Sequence, residues 1–125
     1  MNQANEPELI RQVVRGERNW AELKMIGAEI SLRDGVCEVE YAGNALAVPE
    51  LIDLALGFQA YHDRSSDLRE WAKVILAGSG FLDLGGLESR PAGETLIEAL
   101  WDASTIGQVD EAAWAVIQRL TGGTG

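Results

Sequence analysis

The chain has 125 residues, 46% of them apolar and 24% charged, a composition that excludes disorder and suits one domain with its own core. Twenty acids against ten bases give a net charge of −10, which excludes nucleic acid and anionic membrane as partners because both demand basic patches. The single cysteine, Cys37, excludes an internal disulfide and, with one histidine, a conventional structural zinc site.

Asn5-Glu6-Pro7-Glu8 predicts a helix start, with a capping Asn, a first-turn proline and acids at the positive end of the helix dipole. Leu9, Ile10, Val13 and Val14 form its apolar face, and Gly16 ends it. A short turn follows Asn19 and offers Trp20, Leu23 and Met25 for burial.

Residues 28–41 predict a β-hairpin. Asp34-Gly35 is a preferred pair for a two-residue type I′ turn, and it sets Leu32 opposite Cys37, Ile30 opposite Val39 and Ala28 opposite Tyr41. Those six residues share the face to be buried. Glu29, Ser31, Glu38 and Glu40 share the other, with Glu29 directly opposite Glu40. Gly43-Asn44 predicts another turn, and Ala45–Val48 a third strand, giving a three-stranded meander.

Pro49 opens a central helix reaching to about His62, with Glu50 and Asp53 as its wet strip. Leu68, Trp71, Ala72, Ile75 and Leu76 keep the spacing of an amphipathic helix that ends at Gly78. Gly78–Gly86 follows a helix rather than a strand and lacks a phosphate-binding lysine, so it reads as a loop. Two further helices run from about Glu94 to Ala103 and from the Asp110 cap to Leu120. The expected fold is α+β: an N-terminal helix, the small antiparallel meander, then about four helices packed on one face. Residues 1–120 make the domain and 121–125 a flexible Gly/Thr tail.

The charge is unevenly placed. Residues 1–33 balance five acids with five bases, whereas 34–63 hold six acids and no Lys or Arg. Glu94, Glu98 and Asp102 follow at i, i+4 and i+8 on one helix face, with Trp101 on its border. A tryptophan rimmed by acids is the pattern of an interface anchor for a basic protein. Glu29, Glu38, Glu40, Glu94, Glu98, Trp101 and Asp102 are therefore the candidate partner-binding residues.

No residue pair meets the logic of nucleophile and base. A pairing of Cys37 with His62 weighs less than a packed thiol and a helix-capping histidine. The sequence thus predicts a non-catalytic acidic binding module, of inhibitor, immunity-type or adaptor kind, without cofactor or metal. The missing signal-peptide pattern and the lone thiol place it in a reducing cytoplasm. A self-associating structural or regulatory subunit is the alternative, resting on four tryptophans in so short a chain. A small enzyme or ligand-binding protein ranks third.

Overall fold

The computed structural model describes residues 6–122; the predicted Asn5 cap and the last three residues of the tail lie outside them. Helix α1 (Glu6–Val14) is followed by a 3₁₀ turn (Trp20–Ile26), strands β1 (Ala28–Arg33) and β2 (Val36–Tyr41), then α2 (Leu51–Ala60) and α3 (Ser65–Ala77). A second 3₁₀ turn (Gly85–Leu87) leads to α4 (Pro91–Ile106) and α5 (Glu111–Leu120). The fold is α+β. No helix among the described residues is long and apolar enough to cross a membrane.

The hairpin has the register its turn dictates. Leu32 pairs with Cys37, Ile30 with Val39, Ala28 with Tyr41, and Glu29 with Glu40. Asp34 and Gly35 take φ of 52° and 79°, the two positive angles of a type I′ turn. Of the inner face only Ala28 is fully buried. Ile30, Leu32, Cys37, Val39 and Tyr41 are half-buried, and of these Cys37 lines an open groove.

The predicted third strand is not present: the sheet has two strands. Tyr41 explains the outcome. Its hydroxyl accepts a 2.7 Å hydrogen bond from the Ala45 amide and so turns the chain away from β2. Ala47 instead forms a lone parallel bridge with Leu82, using the bonds Ala47 N–H to Phe81 O and Asp83 N–H to Ala47 O. The glycine-rich connection after α3 thereby comes to lie on the core, with Phe81 edge-on to Tyr41 at 5.5 Å.

The core is helical. Phe58 of α2 and Trp71 of α3 meet edge to face at 5.0 Å, and the Trp71 indole donates to the carbonyls of Val13 and Val14. Asp53 is not part of a wet strip. It is 1% exposed, caps the N-terminus of α2 through the Glu50 amide, and is paired with Arg11 of α1 and with Arg15 in the turn just after it. Burying a carboxylate demands such partners. Two guanidiniums that no local pattern brings near it supply them.

Candidate functional site

Helix α4 carries most of the site. Pro91 occupies its first turn, where a missing N–H costs nothing. Leu96, Ala99, Leu100, Ala103 and Ser104 are buried at i, i+3, i+4, i+7 and i+8, packing the helix on α3 and α5. At the far end Gly107 takes φ 69° with its Cα against the carbonyl and hydroxyl of Ser65, which ties the end of α4 to the start of α3. The two helices are therefore antiparallel neighbours.

That packing leaves Glu94, Glu98, Trp101, Asp102 and Thr105 on the outer side of α4. Trp101 is 60% exposed, so it is not a core residue. Helical side chains lean toward the N-terminus, which brings the indole toward Glu98 one turn earlier. Glu94, Glu98 and Asp102 have no basic partner within 4 Å among the described residues. The Trp101 indole N–H likewise has no internal acceptor among them, unlike that of Trp71.

The hairpin acids form a second, separate group. Glu29, Glu38 and Glu40 are exposed on its outer face, none of them in an ion pair among the described residues. Glu29 and Glu40 are directly opposed, and Glu38 stands across from Ser31. Arg33 shares this face, so the patch is mixed at the turn end. Strand alternation points these glutamates away from the side that Cys37 occupies.

Between the hairpin tip, α3 and α4 lies an open groove of about 520 Å³, lined by Gly35 and Cys37, by Lys73, Leu76 and Ala77, and by Trp101, Ser104 and Thr105. Burial pushes the Cys37 thiol above its ordinary pKa, and the Lys73 ammonium opposes the shift. Both hydroxyls donate to the Trp101 carbonyl, at 2.8 and 2.9 Å. Sequence reasoning had set Cys37 aside as packed and did not find Lys73. The signal within reach was Lys73's position on α3, three residues before Leu76 and off the fully buried stripe.

His62 is remote from this chemistry. Its ring stacks on Trp114 at 4.3 Å, its Nδ1 lies 3.0 Å from Asp63, and it does not line the groove with Cys37. No group of three or more His, Cys, Asp or Glu side chains among the described residues is placed to hold a metal ion. No family model, curated protein or solved structure matches this chain.

Proposed function

We propose that this chain is a non-catalytic, acidic protein-binding module that docks a basic partner protein on the outer face of α4, with Trp101 as the anchor. One observation carries the reading: a tryptophan 60% exposed on a helix whose neighbouring outward side chains, Glu94, Glu98 and Asp102, are unpaired among the described residues. An exposed indole beside free carboxylates suits an arginine of the partner, which stacks its plane on the ring and keeps its donors for the acids. Glu29, Glu38 and Glu40 add field from the hairpin, where they raise the rate of encounter more than the affinity. Catalysis has no part in the reading. A thiol whose pKa is raised by burial is the reverse of an activated nucleophile. A reducing cytoplasm is the setting that fits it.

The test is capture from a lysate of the native host on the immobilised chain, with Trp101→Ala and the pair Glu98→Lys, Asp102→Lys as matched baits. The reading expects a basic protein that is retained at low salt, released at high salt and absent from both variant baits. Retention of the same proteins by Trp101→Ala overturns it.

Self-association has its own supporting observation. Leu46 and Val48 are more than half exposed beside a second groove of about 590 Å³ that Leu51, Ile52, Leu87 and Leu120 help to line. Light scattering across a concentration series, with Val48→Glu as the variant, separates this reading from the first.

A further inference from the structure

Four of the bases have carboxylate partners: Arg11, Arg15, Arg18 and Arg64. Lys24, Arg33, Arg90 and Arg119 are exposed, where water solvates them. Two cations remain, Arg69 and Lys73, both half-buried and without an acid within 4 Å among the described residues. In a chain with twice as many acids as bases, a half-buried cation left without a carboxylate runs against composition.

The two cations are also neighbours. They stand four residues apart on α3, one turn of one stripe, which continues through Leu76 along the groove floor. The Arg69 Nε is fully buried with no hydrogen-bond partner. The Lys73 ammonium reaches the hairpin turn, 3.7 Å from where a side chain on Gly35 would begin. Across the groove the Trp101 indole N–H has no internal acceptor among the described residues, whereas Ser104 and Thr105 have already spent their protons on the Trp101 carbonyl. The unused donors among the groove's side chains are therefore the Lys73 ammonium and the Trp101 indole N–H, while the two hydroxyl oxygens keep acceptor capacity only. Glu98 and Asp102 do not line the groove.

We propose that this groove is a binding site for a small organic anion, an aromatic or alkyl carboxylate, whose charged group meets Lys73 and whose apolar body lies against Leu76, Ala77, Cys37 and the Trp101 ring. Its volume falls in the range of small-molecule sites. The charge of −10 selects against polyanions, since each added negative group meets the repulsion of the whole surface, while a single carboxylate gains more from the Lys73 ammonium in the groove than it loses to screened charges farther off. The site shares Trp101 with the proposed docking face of α4, but its charge preference rests on Lys73, which that face does not use.

Naphthoate and its uncharged isostere naphthamide test it, titrated into the labelled protein and followed by proton–nitrogen correlation spectra. Naphthoate is expected to shift the Gly35 and Cys37 amides and the Trp101 indole N–H. It should bind at least about tenfold tighter than naphthamide, the worth of one charge-assisted hydrogen bond. Lys73→Gln should bring the two probes level, and Lys73→Arg should keep the preference. Arg69→Gln should narrow it; if that variant fails to fold, the Lys73 pair decides. Equal binding of the two probes, shifts that map away from the groove, a preference that survives Lys73→Gln, or no binding at millimolar concentration each overturns the assignment.

Discussion

Arg15 holds Asp53 at 3.3 Å across the contact between α1 and α2, and the same guanidinium reaches Glu8 at 2.6 Å and Glu17 at 2.8 Å. The Glu8 carboxylate above all raises the Arg15 pKa beyond its already high value, so the cation is permanent. Arg11 meets the other carboxylate oxygen of Asp53 at 3.2 Å. A buried acid thus clamps the first helix onto the central one.

Replacing Asp53 by Ala removes the carboxylate and leaves Arg15 facing a buried space. The expected loss is about 2–4 kcal/mol, below the top of the range for a broken buried pair because Arg11 keeps access to water. Urea denaturation of the purified variant measures it. A loss within experimental error would show that the clamp contributes nothing net.

Gly57 allows α1, α2 and α3 to meet. A methyl group there would run into the Val14 carbonyl and the Trp71 indole, neither of which can yield without moving a helix. Gly57→Ala should therefore cost about 3 kcal/mol or more despite alanine's better helix propensity, since overpacking against backbone outweighs that gain. The denaturation midpoint reports the sign, and a stabilised variant would mean that the three helices are farther apart than described.

Cys37 should react slowly with a disulfide reagent at neutral pH. Burial disfavours its thiolate, so the rate should keep climbing through and above about pH 8.5, the ordinary thiol value. Lys73→Gln removes the opposing cation and should slow the reaction further at every pH. A rate indifferent to that substitution would place the ammonium away from the sulfur.

The hairpin was legible because its determinants are local: Asp34-Gly35 sets the turn, and the turn sets every pair from Arg33–Val36 to Ala28–Tyr41. Ala45–Val48 was misread because its fate depends on a bridge to a remote segment and on one side-chain hydroxyl. The bridging Leu82 is remote in sequence though adjacent in space, and the Tyr41 hydroxyl is a side-chain signal that no alternation pattern carries. Asp53 was misread for the same reason, its two arginines lying 42 and 38 residues away. The acid face of α4 and its bordering Trp101 followed from helical spacing alone. The groove did not, because it exists only where the hairpin tip overhangs α3 and α4.

The measurement that bears most directly on the docking face is the paired behaviour of Trp101→Ala in thermal melting and in partner capture. An exposed anchor predicts a melting temperature close to that of the parent, a stability change within about 0.5 kcal/mol, and loss of roughly thirtyfold or more in affinity for the captured basic protein. The contrary result is a variant that melts far lower, by the ~3–5 kcal/mol of a core tryptophan, or one that binds as tightly as the parent. Either would remove Trp101 from the surface that this account assigns to the partner.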